Sequence, residues 1–198
     1  MKDKIINKAT EMFLKLGFKS VTMDDIACEM CISKKTIYKY FQNKEVLIEE
    51  GTEAVHQQMQ VMMNDIVAQK YNAIAENFEF RKRFKKMFQS VDHSPAYQLK
   101  KHYPEIYQSM MAIRLNECNV LFRQNIEKGI QEGLYRPEID METAVQFYYT
   151  LIFSINENTQ LEKEAKALEA KALEYHTRAI ATPLGLVELE KQLLNPIF

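Results

Sequence analysis

VTMDDIACEMCISKKTIYKYFQNK, residues 21–44, reads as two short helices joined by a tight turn. Ser33 is a good N-cap, because its hydroxyl can accept a hydrogen bond from a backbone N–H that the first turn leaves free. The helix it opens carries Lys34, Lys35, Thr36, Tyr38, Lys39 and Tyr40 on its outer side. Ile37 and Phe41, four apart, fall on the opposite face and give it something to dock with. From Cys31 to Lys44 there are four lysines and no acid. A helix that is cationic and aromatic outside, yet apolar along one stripe, suits a nucleic-acid groove. Charge alone would equally suit an ordinary solvated helix, so the segments around it carry the decision.

Upstream, Ile5, Ile6, Ala9, Met12, Phe13 and Leu16 recur at helical spacing from about Asp3, while Lys2, Lys4, Lys8 and Lys15 stay on the wet side. Gly17 ends that helix, since glycine takes positive φ without penalty. Thr22, with Asp25 three residues on, is a short-armed capping box. Ile26 and Ala27 form the buried side of the helix it starts. Downstream, Asn43 caps a long helix from Lys44 to about Ala68, the mechanical link between the N-terminal unit and the rest. Gly51 is a soft spot in it by propensity.

The remainder is helical too. Glycine and proline number five each, and the first proline is Pro95, a scarcity of breakers that favours an all-α chain. From Tyr71 to Val91 an amphipathic helix interleaves Ile74, Phe78, Phe84, Met87 and Phe88 with the basic run Arg81 to Lys86, read as a solvated face. Ser94-Pro95 opens a short helix through about Lys101, and Pro104 starts a long one ending at Gly129 or Gly133. Met141 to about Asn156 is apolar nearly all round, which asks for burial on two faces. Beside it Leu161, Ala165, Leu168, Ala172, Tyr175 and Ala179 step at coiled-coil spacing. Pro183 and Gly185 then stop the chain's last long helix, and a tail with Leu186, Leu189, Leu193 and Leu194 packs back. Two adjacent helices with more apolar surface than one subunit can cover point to a homodimer, with Tyr148, Leu151, Ile152, Ile155, Leu168, Ala172 and Tyr175 as its interface.

Bulk numbers exclude other classes. The 198 residues are 46% hydrophobic and 27% charged, an ordinary globular balance. Net charge is −1, so any nucleic-acid surface must be local. The most apolar stretch, Phe147 to Ile155, is far short of the ~20 residues of a membrane span. Three irregularly spaced cysteines provide no disulfide framework and fit a reducing cytoplasm. Cys28 and Cys31 form a C-x-x-C, but without a second pair or a nearby histidine they read as small packing thiols, not a metal site. His56, His93, His102 and His176 are scattered, and neither HExxH, a nucleophile elbow nor a phosphate loop is present, which argues against an enzyme.

Three short helices, a capped cationic helix and a long helix leading into an all-helical body resemble the TetR family of bacterial transcriptional regulators. Ala9, Phe13, Gly17 and Phe18 match the first-helix signature. Thr22, Ile26 and Ala27 match the first half of the helix-turn-helix. Ile32, Ser33, Thr36, Ile37, Tyr38, Tyr40, Phe41, Asn43, Lys44 and Leu47 match the recognition helix and its exit. A weaker echo lies in RAIATPLG, residues 178–185. Where the family has glycine in the turn, this chain has Cys31; a left-handed cysteine there costs on the order of 1 kcal/mol relative to glycine.

The resemblance implies a helix-turn-helix DNA-binding domain over residues 1–46 and a helical effector-binding and dimerisation domain over 47–198. It implies a repressor that binds a palindromic operator as a homodimer and is released by a small, partly apolar effector, with no cofactor and no membrane partner. Thr22 and Lys44, at helix N-termini, would hold phosphates. Ser33, Lys34, Tyr38, Lys39 and Tyr40 join them as DNA contacts, with Lys35 and Thr36 best placed for base edges. All six arginines lie from Arg81 onward, so readout would proceed without the bidentate arginine–guanine pair. Phe84, Phe88, Tyr103, Tyr107, Met110, Met111, Phe122 and Phe147 would line the effector pocket, although the same side chains suit core packing. A helical protein-interaction adaptor without DNA binding is the rival class.

Overall fold

A computed structural model describes residues 1–89 and 91–194, and its elements are all helical. They are α1 (Lys2–Leu16), α2 (Met23–Glu29), α3 (Lys34–Tyr38), α4 (Lys44–Ala68), α5 (Ala73–Met87), α6 (Pro95–His102), α7 (Pro104–Gln131), α8 (Met141–Asn158), α9 (Glu162–Ile180) and α10 (Pro183–Leu194). Their starts follow local chemistry. The Ser33, Asn43, Asn72, Ser94 and Asp140 side chains each accept a hydrogen bond from the backbone N–H three residues on, satisfying donors that the first turn cannot. Among the described residues, no helix is long and apolar enough to cross a membrane.

Two cores organise the chain. The first joins α1, α2, α3 and the first turn of α4 around Ile5, Ile26, Ile37, Leu47 and Ile48, all fully buried; burial stabilises each such side chain by about 1.5–3 kcal/mol. Leu99, Ile106 and Tyr107 of α6 and α7 complete this core, so the body buttresses the N-terminal unit directly. Leu16, expected on the buried stripe, is exposed. Gly51 is more than a weak point of propensity. It is buried where α4 passes α1, and a Cβ there would lie 2.6 Å from Thr10 Oγ1. Glycine lets the two helices approach.

The second core draws Ile74 and Phe78 from α5, Phe122 and Ile126 from α7, Tyr148 and Ile152 from α8, and Leu173 from α9. Gly185 does not stop a helix; it lies inside α10, and Pro183 begins that helix. A Cβ on Gly185 would meet the Leu134 carbonyl oxygen at 2.1 Å. Thr182 explains the RAIATPLG signature: its hydroxyl accepts from the Gly185 N–H at 3.1 Å and donates to the Gly133 carbonyl at 2.7 Å. That ties α10 to the turn after α7. Leu189 of α10 is buried, whereas Leu194, expected to pack back, is exposed.

Candidate nucleic-acid interface and inner cavity

The N-terminal unit presents α3 outward. Ile37 and Phe41 are buried, while Lys34, Lys35, Tyr38, Lys39 and Tyr40 are exposed. Ser33 Oγ accepts from the Thr36 N–H at 3.1 Å and shares a hydrogen bond with the Thr36 hydroxyl at 2.8 Å. Thr36 is therefore half-buried and oriented by its cap. Lys34 Nζ lies 2.6 Å from Asp24, so part of its charge is neutralised within the protein. Lys35 and Lys39 make no ion pair with a described residue. In the turn before α3, Cys31 has φ 53°, the strained left-handed geometry considered above. Cys28 and Cys31 are both exposed, which corrects their reading as packing thiols.

Two expected phosphate contacts are already occupied at their side chains. The Thr22 hydroxyl donates to Asp25 at 2.7 Å and the Asp25 carboxylate also accepts from the Thr22 N–H at 2.8 Å. These bonds hold the Asp25 carboxyl below its usual range and place an acid at the N-terminus of α2. Lys44 is half-buried. Its amine donates to the Lys19 carbonyl at 3.3 Å and sits over the Phe13 and Tyr103 rings at 5.8 and 5.7 Å.

Within the body lies a cavity of about 340 Å³. Phe84, Phe88, Tyr107, Met110, Met111 and Phe122 line it, joined by Met59, Met63 and Ile66 of α4, Phe80 of α5, and Tyr149 and Phe153 of α8. Two expected members do not reach it. Tyr103 packs against the first core and donates its hydroxyl to the Phe18 carbonyl at 3.3 Å; Phe147 is 69% exposed. Sequence reasoning also missed the polar wall. Arg81, assigned to a solvated basic face, is largely covered, its side chain 10% exposed: it pairs with Glu169 at 2.7 Å and donates to the Tyr148 hydroxyl at 2.7 Å. Lys128 pairs with Glu76 at 2.5 Å. The available signal was position, because Arg81 shares a helical face with Phe84 and Phe88, three and seven residues on.

The outer face of α8 and α9 needs a second correction. Tyr148, Ile152 and Ala172 are buried in the subunit's own core, so they cannot meet another copy directly, and Ile155 is half-buried. Leu151, Leu168 and Tyr175 are exposed, as are Phe147 and Leu161. The coiled-coil seam thus splits: Leu161, Leu168 and Tyr175, seven apart, face out, and Ala165 and Ala172 face in.

The family model described as bacterial regulatory proteins, tetR family, matches residues 5–50. Residues 5–50 are thus a TetR-type helix-turn-helix unit. The curated relatives that this chain resembles are transcriptional regulators. YhgD of Bacillus subtilis (strain 168), an uncharacterized HTH-type transcriptional regulator, is 26% identical over 180 residues, covering 84% of this chain and 90% of that one. IcaR of Staphylococcus aureus (strain Newman), the negative transcriptional regulator of the biofilm operon icaADBC, is 28% identical over 103 residues, 48% of this chain and 55% of its own. The crystal structure of a transcriptional regulator from Cytophaga hutchinsonii ATCC 33406 shares the fold, with a TM-score of 0.73 at 18% identity over 91% of this chain and 98% of that one.

Beside the body's cavity, His176 packs against the Phe122 and Tyr148 rings at 5.4 and 4.9 Å, and its buried Nε2 has no hydrogen-bond partner among the described residues. Burial pushes its pKa down to about 4. Above the unfolded value of about 6.5, the ring is neutral in both states and adds no pH dependence. As pH falls from there towards 4, the unfolded chain takes up a proton that the folded one refuses, and about 3 kcal/mol of stability is lost. Urea unfolding between pH 7 and 4 is expected to show this loss, and His176→Phe to remove it from that window. An unchanged pH profile in His176→Phe would show that other groups set it.

Proposed function

We propose that the protein is a homodimeric repressor that binds a palindromic operator and is released when a small, partly apolar molecule enters the body cavity. The observation that carries this reading is the span of α4. Its first turn, with Leu47 and Ile48, belongs to the core under the DNA-facing unit, and its later turns, with Met59, Met63 and Ile66, form the cavity wall. A ligand that favours one tilt of α4 would shift the population of head positions. Residues 1–46 then act as the reading head and 47–198 as the sensing and pairing body, working in the cytoplasm.

In the head, Lys35 and Thr36 meet base edges, and Ser33, Lys34, Tyr38, Lys39 and Tyr40 position the helix on phosphates. Thr22 and Lys44 contribute backbone N–H groups at helix N-termini, because their side chains are engaged elsewhere. One such helix reads only a few base pairs, so specificity needs two heads about one DNA turn apart. Leu151, Leu168 and Tyr175, with Phe147, supply the pairing surface that would set that spacing. The negative regulation attached to IcaR supports the repressor sense.

Sites selected from random DNA by the purified protein are expected to be palindromic, with binding that weakens steeply as salt rises. Phe147→Glu is expected to yield a monomer by analytical ultracentrifugation and to lower operator affinity by about 10²–10⁴, the advantage of tethering two heads. A wild-type monomer that binds half-sites as tightly as whole ones would overturn the dimer. Failure to bind any DNA at low salt would favour the adaptor.

A further inference from the structure

The charges around the cavity nearly cancel in pairs. Glu76 has Lys128 at 2.5 Å, Glu169 has Arg81 at 2.7 Å, and Glu162 has Lys166 at 2.6 Å. Arg114, on α7, is left over. Its guanidinium donates one hydrogen bond, to the Thr52 carbonyl of α4 at 3.3 Å, and its buried Nε has no partner among the described residues. Glu53 and Glu117 face it at longer range without forming an ion pair. Glu117 is held by His56 at 2.9 Å and Gln60 at 3.1 Å, and Glu53 by Gln57 at 2.9 Å.

An arginine cannot shed its proton to escape such a site. Burial lowers the pKa of Arg114 from its ordinary value, but the side chain stays charged, and an arriving anion is the remaining relief. Resting on the reading of this cavity as the effector site, we propose that the effector is an apolar carboxylic acid whose carboxylate pairs with Arg114 while its body lies against Phe84, Phe122 and Met110. At about 340 Å³ the cavity sits near the lower end of small-molecule sites, ~300–1,000 Å³, which suits a compact aryl or medium-chain acid. The Glu162 carboxylate also has an oxygen without a hydrogen-bond partner among the described residues. However, burial raises its pKa, so it can be relieved by a proton and has less need of a cationic ligand.

The position of Arg114 makes it a transmitter as well as a binder. It also lines a smaller space of about 60 Å³ that runs on to Thr10 of α1 and Gly51 of α4, where the Thr10 hydroxyl is likewise buried without a hydrogen-bond partner among the described residues. A carboxylate competing for the guanidinium would draw it from the Thr52 carbonyl, at the point where α4 leaves the head.

Calorimetric titration of the full-length protein with two matched series tests this: n-alkanoates and ω-phenylalkanoates against the alcohols of the same skeletons. The acids are expected to bind at least about tenfold tighter than the alcohols, as a charge-assisted bidentate pair would allow. Arg114→Gln is expected to remove that preference while leaving alcohol binding within about threefold, with folding checked by thermal melting. Alcohols that match acids on the wild-type protein would overturn the carboxylate and leave the effector cavity standing. So would an ω-phenylalkylammonium ion that outbinds both, which would make Glu162 the reader. If no member of either series binds, the effector reading itself fails and this inference falls with it.

Discussion

Glu169→Ala is expected to cost the fold about 3–5 kcal/mol, the usual price of stranding a buried charge. Glu169 is buried on α9. One carboxylate oxygen accepts from Arg81 at 2.7 Å and the other from Asn156 at 2.5 Å. Arg81 in turn is held by the Tyr148 hydroxyl, so removing Glu169 leaves a desolvated guanidinium with one neutral partner. Against a typical total stability of about 5–15 kcal/mol, the loss would appear as a large drop in the urea midpoint. Replacing both charges, Arg81→Met with Glu169→Leu, is expected to recover most of it, because two apolar side chains need no partners. The exposed pair Lys2–Glu50, at 2.6 Å, is the control: breaking it should change stability by no more than ~1 kcal/mol. If Glu169→Ala were as mild as that control, the buried network would not hold the body together.

The second large effect falls on the reading head. Lys35→Ala is expected to weaken operator binding by about 1–3 kcal/mol per half-site and to relax base preference at one position, the behaviour of a base reader. Lys39→Ala should instead weaken all sequences alike and reduce the salt slope by about 1 per half-site, the behaviour of a phosphate contact. Lys34→Ala should do less than either, since Asp24 already shares its charge at 2.6 Å. Fluorescence anisotropy against a panel of single-base operator variants at two salt concentrations separates these outcomes. If Lys35→Ala lowered affinity equally for every variant, Lys35 would be a phosphate contact.

The contrast between these two predictions follows from how each was legible. Lys35 and Lys39 could be placed from sequence, because a helix with Ile37 and Phe41 buried must put its lysines outside. The Arg81–Glu169 pair could not, because its partners lie 88 residues apart in the chain. Charge runs on helices are commonly solvated, and only the arrival of α9 beside α5 makes Arg81 an interior residue.

What the sequence determined by itself is everything governed by neighbours within about a turn. The capping of α2 by Thr22 and Asp25, the caps at Ser33 and Asn43, the stop at Gly17 and the buried stripe of α3 all follow from side chains one to four residues apart. Together they spell the reading head, which is why that unit matches a family over residues 5–50. What only the tertiary structure decided is which of two apolar stripes the chain itself covers. Tyr148, Ile152 and Ala172 turn inward and Leu151, Leu168 and Tyr175 outward, although all six are apolar or aromatic at helical spacing. Periodicity identifies a face but carries no information about what will lie against it. The same holds for Gly51, whose value depends on Thr10 across the α1–α4 crossing, and for Arg114, which makes no ion pair with a described residue because Glu117 and Glu53 are held by other side chains.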